Sequence, residues 1–236
     1  MEEKTRYTNK KLNRENDTMT FTEIQKDPAI RTYIKQADAS LAVLGYTEHS
    51  FAHVTQVALT AGDILAQLDY PERTVELAKI AGFMHDIGNV VNRIEHSQSG
   101  AVMAFRLLDK MGFPPEEIAV IVSAIGNHDE GTGVPVSPVA AALILADKSD
   151  VRRSRVRTKD RTQFDIHDRV NYSVTHSQLQ INEDRTQVLL KLTVDTQFSP
   201  VMDYFQIFME RMNLCRQAAQ ALCLEFKLEI NDQQML

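Results

Sequence analysis

Ionisable side chains interrupt several stretches of the chain that otherwise have the apolar periodicity of buried helices. His53, His85, His128 and Asp147 each stand three or four positions from an apolar residue on the same helical stripe, so they are expected to point inward. A buried carboxylate needs a compensating partner, and a buried neutral imidazole needs partners for both of its nitrogens. A metal ion shared by these side chains would meet both requirements.

Two further candidates adjoin these positions. Asp86 follows His85 directly, where a helix is expected to end at Gly88, and His96 lies just before the next helix start. A lone core histidine is usually hydrogen-bonded, and a lone aspartate near a helix end is usually a cap. The six residues together instead favour a metal site. Their nitrogen and oxygen atoms suit Fe, Mn, Co, Ni or Zn without distinguishing among these metals.

Helices must position these residues. Capping residues, Gly and Pro placement and apolar spacing predict consecutive helices from Thr20 to about residue 155. From Tyr172 onward alternating apolar residues predict an antiparallel hairpin across residues 182–185, then a long helix near 200–222 and a strand near 224–230. We predict a mainly α protein with a disordered tail (1–19), a helical metal-binding domain (20–160) and a small α+β appendage (161–236).

The composition limits the class of protein. Of 236 residues, 43% are hydrophobic and 25% are charged, which is typical of a globular chain, and the net charge of −6 argues against coating nucleic acid. Cys215 and Cys223 lie about two helical turns apart, too far to form a disulfide with each other. No apolar run of about 20 residues predicts a membrane span. We expect a cytoplasmic protein with no membrane partner.

The motif residues resemble the HD-domain superfamily of metal-dependent phosphohydrolases. His53, the adjacent His85 and Asp86 in GFMHDIGN, and Asp147 in ILADKSD are similar to its H…HD…D signature. The resemblance covers residues 45–155. It implies a helical bundle that holds a divalent metal at its centre and hydrolyses a phosphoester or phosphoanhydride.

Further positions resemble members with two metals. His96 in EHSQSGA and His128 in IGNHDEGTG match their two additional histidines. Asp150 and Arg153 follow Asp147 with the spacing found in bacterial dinucleoside tetraphosphate hydrolases, which look most similar. The chain lacks the HDIGK and GYP segments of HD-GYP cyclic dinucleotide phosphodiesterases, so that substrate is disfavoured.

The resemblance implies two divalent ions and a metal-activated hydroxide that attacks the phosphorus of a nucleotide or other small phosphorylated metabolite. Asp86 would bridge the ions, and we predict Asp86 and His85 as catalytic residues. The predicted ligands are His53, His85 and Asp147 on one ion, His96 and His128 on the other, and Asp86 between them.

A phosphate substrate also needs cations and polar groups beside the ions. Arginine guanidinium groups match phosphate oxygens in paired hydrogen bonds, which favours Arg93 and Arg153. The basic run 155–161 is instead interpreted as a solvated linker, and the pair 167–168 as structural or interfacial. The predicted substrate-binding residues are Arg93, Lys148, Arg153, Asn127 and His49, the last of which could replace His53 as the first ligand.

Two other functions stay open at this point. Some HD proteins use the same residues to hold two irons for an oxygen-dependent reaction, which a requirement for O₂ would reveal. Alternatively, the protein is a non-enzymatic module that binds phosphate or nucleic acid through the basic run 152–161. The complete ligand set disfavours this module, and nucleic acid is an unlikely partner. The appendage could form a homodimer interface, a substrate lid or a specificity module.

Overall fold

Nine α-helices and one four-stranded sheet are formed by residues 19–158 and 160–235, which the computed structural model describes. The tail expected over 1–19 lies, apart from Met19, outside these residues. The helices are α1 (Phe21–Lys26), α2 (Pro28–Val43), α3 (Phe51–Gln67), α4 (Glu72–Met84), α5 (His96–Met111), α6 (Pro115–Gly126), α7 (Pro138–Ser149), α8 (Ile166–Ser173) and α9 (Val201–Ala221). The strands are β1 (Val174–Ile181), β2 (Gln187–Val194), β3 (Glu225–Ile230) and β4 (Gln233–Gln234).

Local sequence signals begin and end the helices of the bundle. The Thr20 N–H donates to Glu23 at 2.7 Å in the capping box of α1. Asp27 caps α2 and Ser137 caps α7 by accepting backbone N–H groups. Gly112 ends α5 with a φ of +82°, a conformation that favours glycine.

Helix α7 is the central element of the bundle. Every residue from Val139 to Ala146 is buried, because α3, α4 and α6 pack around it. Helices α3 and α4 approach closely at Gly82, where a Cβ atom would lie 2.7 Å from the Cα of Ala58. The interior is therefore densely packed, and polar groups within it must find partners there.

The C-terminal sheet has the strand order β1-β2-β3-β4. Strands β1 and β2 form the antiparallel hairpin that the sequence predicts, with Leu190 and Leu192 buried. After α9 the chain returns with β3 parallel to β2, and β4 pairs antiparallel with β3. Helix α9 packs against both the sheet and α7, so it brings its residues to the helical bundle.

Helix α8 was not predicted from the sequence. Alternation was expected to begin at Tyr172, but this residue lies in the helix, and β1 begins at Val174. The Asp165 side chain caps α8 by accepting the N–H of Asp168 at 2.8 Å. The short helix was missed because its hydrophobic residues are too few to show a helical period.

The prediction of a mainly α fold with a small α+β appendage is confirmed. Both cysteines are free, with Cys215 buried and Cys223 exposed. Within the described ranges, none of the helices combines the length and apolarity needed to cross a membrane.

Candidate metal centre

The ends of five helices bring the six predicted ligands to one region of the interior. Five of these side chains belong to buried residues, and that of Asp147 is 12% exposed. The ligands come from the start of α3, the segment after α4, the first residue of α5, the segment after α6 and the last turn of α7: His53, His85 with Asp86, His96, His128 and Asp147.

The inner half of the cluster pairs two imidazoles with two carboxylates. His53 Nε2 lies 3.6 Å from Asp86 Oδ2 and 3.4 Å from Asp147 Oδ1. His85 Nε2 lies 3.1 Å and 3.6 Å from the same two oxygens. The Nε2 atoms of His53 and His85 are both buried, and neither has a hydrogen-bond partner among the described residues. Two unpartnered nitrogens facing two carboxylate oxygens are a donor set that fits a divalent transition metal.

The outer half is formed by two further histidines. His96 Nε2 lies 3.3 Å from Asp86 Oδ1 and 3.2 Å from His128 Nε2. The two oxygens of Asp86 therefore face different halves of the cluster. Three overlapping triads of predicted ligands have their ligand atoms within 4.8 Å of one another. This spacing leaves room for cations between the side chains.

Each of the four histidines directs Nδ1 away from the cluster and Nε2 toward it. The Nδ1 atoms of His85, His96 and His128 bond to backbone carbonyl oxygens at 2.8, 3.1 and 2.6 Å. His53 Nδ1 bonds to Asp150 Oδ2 at 2.7 Å. A carbonyl oxygen only accepts hydrogen bonds, so Nδ1 carries the proton and a neutral ring has its lone pair on Nε2. All four Nε2 atoms face the cluster, which is the arrangement of metal-binding histidines.

The backbone between Asp86 and His96 fixes both ligands. Asn89 Nδ2 donates to the carbonyl and to Oδ1 of Asp86 at 3.0 and 2.8 Å. A Cβ atom on Gly88 would lie 2.0 Å from the carbonyl oxygen of His96, so this turn requires glycine. Glu95 has a φ of +53°, which is uncommon for a residue with a side chain, directly before α5 begins.

The carboxylates of the cluster stay ionised despite their burial. Burial opposes the charged form of His85, but the facing charges of Asp86 and Asp147 raise its pKa to about 10, so a metal ion that binds there would displace the proton of Nε2. Burial also opposes ionisation of Asp86, yet the neighbouring histidines hold its pKa well below the ordinary value. Burial opposes ionisation of Asp147 too, but the adjacent Lys148 ammonium group holds the pKa of Asp147 well below its ordinary value. Both carboxylates are thus available as anionic ligands.

A cavity of about 580 Å³ opens onto the cluster. One side is formed by the helical bundle, including His49, Tyr46 and Arg93. The rest of the lining comes from α8, its cap and α9, which contribute Asp165, His167, Asp168, Asn171, Ile207, Phe208, Glu210 and Arg211. The C-terminal segment therefore supplies one wall of the cavity.

Three of the predicted substrate-binding residues line this cavity. His49 Nε2 lies 3.9 Å from Asp86 Oδ2, farther than His53 Nε2 does. Arg93 Nη1 lies 3.2 Å from His96 Nε2, and Lys148 lies beside Asp147 at the floor. His53 therefore occupies the central position that the sequence left open between it and His49.

The other two predicted substrate-binding residues are engaged elsewhere. Arg153 donates to the Tyr172 carbonyl at 2.6 Å and lies over the Tyr172 and Phe198 rings. Asn127 donates to the Ser123 carbonyl at 2.9 Å within its own helical turn. The structure does not bring either side chain to the cavity, so the expected phosphate contact of Arg153 has no geometric support.

Sequence reasoning also missed residues of the site. Arg155, interpreted as part of a solvated linker, is only 6% exposed and donates to the carbonyls of Glu48 and Asp150. The pair 167–168, interpreted as structural, lines the cavity. Arg211 follows Phe208 by three positions on an apolar stripe, the same signal that identified His128.

One family model is similar to the segment that contains the cluster. The family model of the HD domain matches residues 50–152, which contain all six predicted ligands. This segment is therefore similar to the HD domain. The resemblance seen in the sequence is confirmed at this level, while its dinucleoside tetraphosphate hydrolase subtype stays a prediction.

Two individual proteins are similar to parts of the chain. A protein of Methanocaldococcus jannaschii described as uncharacterized is 25% identical over 173 residues, which cover 63% of this chain and 66% of that protein. The chain thus spans slightly less than two thirds of this relative. The crystal structure of a predicted HD superfamily hydrolase from an uncultured Thermotogales bacterium is 24% identical, with a TM-score of 0.43. That match covers 57% of this chain and 75% of the other.

Proposed function

We propose that the protein is a metal-dependent phosphohydrolase that cleaves a phosphoester or phosphoanhydride of a nucleotide or another small phosphorylated metabolite. The observation that carries this proposal is the convergence of four histidine Nε2 atoms with Asp86 and Asp147 beside an open cavity. This donor set of imidazole nitrogens and carboxylate oxygens fits divalent transition metals.

Two ions are proposed because Asp86 directs one oxygen to each half of the cluster. His53, His85 and Asp147 would hold the inner ion, and His96 and His128 the outer one, with Asp86 shared. Such ions polarise a phosphoryl oxygen and lower the pKa of a coordinated water. Hydrogen bonds from Nδ1 to Asp150 and to the backbone carbonyls would keep the histidine Nε2 lone pairs directed at such ions.

Arg93 is the residue we assign to the phosphate. Its side chain is 28% exposed, and within the described part of the chain the nearest carboxylate is that of Asp129 at 3.9 Å. Its guanidinium group lies beside His96 at the outer half of the cluster. The N–H groups of Arg93 are thus placed to donate paired hydrogen bonds to phosphate oxygens.

The cavity wall formed by α8 and α9 favours a substrate with few phosphates. Phe208 and Ile207 on this wall and Tyr46 of the helical bundle offer apolar surface suited to a nucleobase. Asp165 and Asp168 offer acceptors suited to sugar hydroxyls. Carboxylates on this wall would repel a polyphosphate chain. We therefore favour a nucleoside monophosphate or similar phosphomonoester over a dinucleoside tetraphosphate.

Metal analysis followed by a substrate screen tests the proposal. Mass spectrometry of the purified protein should find about two transition-metal ions per chain, with fewer in His96→Ala and almost none in Asp86→Ala. The metal-loaded protein should hydrolyse p-nitrophenyl phosphate and nucleotides equally well with and without oxygen. A protein that stays metal-free after reconstitution with Mn or Fe would refute the proposal. Turnover only with O₂ would instead favour the oxygenase alternative.

A further inference from the structure

A chain of alternating charges connects α9 with the predicted metal ligand Asp147. Asp147 Oδ1 faces His53 and His85, whereas its Oδ2 lies 2.7 Å from Lys148 Nζ. Lys148 Nζ lies 3.3 Å from Glu130 Oε2. The other oxygen of Glu130 accepts a hydrogen bond from Arg211 Nε at 2.9 Å.

The charged groups in the middle of this chain are shielded from water. Lys148 is only 4% exposed, so its ammonium group depends on the two carboxylates rather than on water. Glu130 belongs to the connection between α6 and α7, where regular structure does not fix its side chain. Arg211 projects from α9 with its guanidinium over the Phe208 ring, 4.2 Å from the centroid. The helix therefore supplies the fixed end of the chain of charges.

We propose that Arg211 is a positioning residue for the metal centre. It holds Glu130, which holds Lys148 against Asp147 Oδ2, and this contact turns Oδ1 toward the inner histidines. The C-terminal segment, which lies outside the matched HD domain, thereby completes the metal centre as well as the cavity wall. This inference rests on the proposed function in one respect, namely that Asp147 is a metal ligand.

The test measures metal affinity, with Mn²⁺ or Zn²⁺ as the probe in competition with a chromophoric chelator. Arg211→Gln and Glu130→Gln should each weaken binding about 10-fold to 100-fold, the usual effect of losing a partner that orients a ligand. The double variant should be no weaker than either single one, since both break the same connection. Arg211→Lys, which keeps a charge beside Glu130, should retain most of the affinity.

Arg216→Gln is the matched control, because Arg216 is exposed on the same helix. Denaturant unfolding without metal shows whether each variant folds, and if Arg211→Gln does not fold, Glu130→Gln and Arg211→Lys decide the question. Unchanged affinity in Glu130→Gln, or additive losses in the double variant, would overturn the inference. If the wild-type protein itself binds no metal, the proposed function fails together with this inference. If the wild-type protein binds metal and the variants bind it equally well, only this inference fails.

Discussion

Replacing Asp150 with asparagine should weaken the metal centre from outside its predicted ligand set. Asp150 Oδ2 accepts the Nδ1 proton of His53 at 2.7 Å and is buried. The hydrogen bond fixes the His53 ring and makes its Nε2 a stronger donor. Loss of such a partner lowers metal affinity about 10-fold to 100-fold, equivalent to about 1.4–2.8 kcal/mol.

The same substitution should lower the stability of the metal-free protein. Arg155 is 6% exposed, and its Nη1 lies 3.9 Å from Asp150 Oδ2. Despite burial, His53 and Arg155 hold the pKa of Asp150 well below its ordinary value, so the carboxylate is ionised at neutral pH. Removing it leaves the buried Arg155 without this counter-charge. We expect a loss of about 3 kcal/mol in the free energy of unfolding.

Two measurements separate these effects. Chelator competition gives the metal dissociation constant at a temperature where the variant is folded, and urea unfolding in excess chelator gives the stability without metal. Asp109→Asn, a charge loss at an exposed position of α5, is the matched control and should change neither quantity. A folded Asp150→Asn protein with wild-type metal affinity would refute the argument that Asp150 orients His53.

Three further substitutions test the turn, the phosphate contact and the cavity wall. Gly88→Ala should destabilise the protein by about 3 kcal/mol in urea unfolding, because its Cβ would overlap the His96 carbonyl, whereas Gly131→Ala has open space and should not. Arg93→Lys should raise KM about tenfold for a phosphomonoester, because lysine cannot make the paired contact, and an unchanged KM would contradict that assignment. Asp168→Asn should raise kcat/KM for a nucleoside triphosphate relative to the monophosphate by about threefold or more, and an unchanged ratio would show that wall charge does not select the substrate.

The sequence predicted the helical bundle because its signals are local. Caps such as Asp27 and Ser137, and the glycine at position 112, mark helix ends through bonds to nearby backbone groups. The hairpin was visible for the same reason, since the alternation in β2 reflects burial of one face. Strand β3 was also visible, but its parallel pairing with β2 was not, because pairing across α9 depends on packing between distant segments.

The six predicted ligands could be identified because burial of a titratable group is unfavourable enough to stand out on an apolar stripe. The tertiary structure shows that these side chains converge, and their role as ligands is part of the proposal. It also separates the predicted phosphate contacts. Arg93 lies at the cavity, while Arg153 is held by Tyr172 and Asp195. Both are arginines close in the sequence to a predicted ligand, so the sequence could not distinguish them.

The sequence by itself therefore determined the helical class and supplied the candidate metal ligands, because both follow from periodicity and residue type over short distances. Only the tertiary structure decided what surrounds them. Asp150 bonds to His53 across 97 positions of the chain, and Glu130 bonds to Arg211 across 81. Contacts between such distant segments are set by how helices pack, and one-dimensional spacing carries no record of that packing.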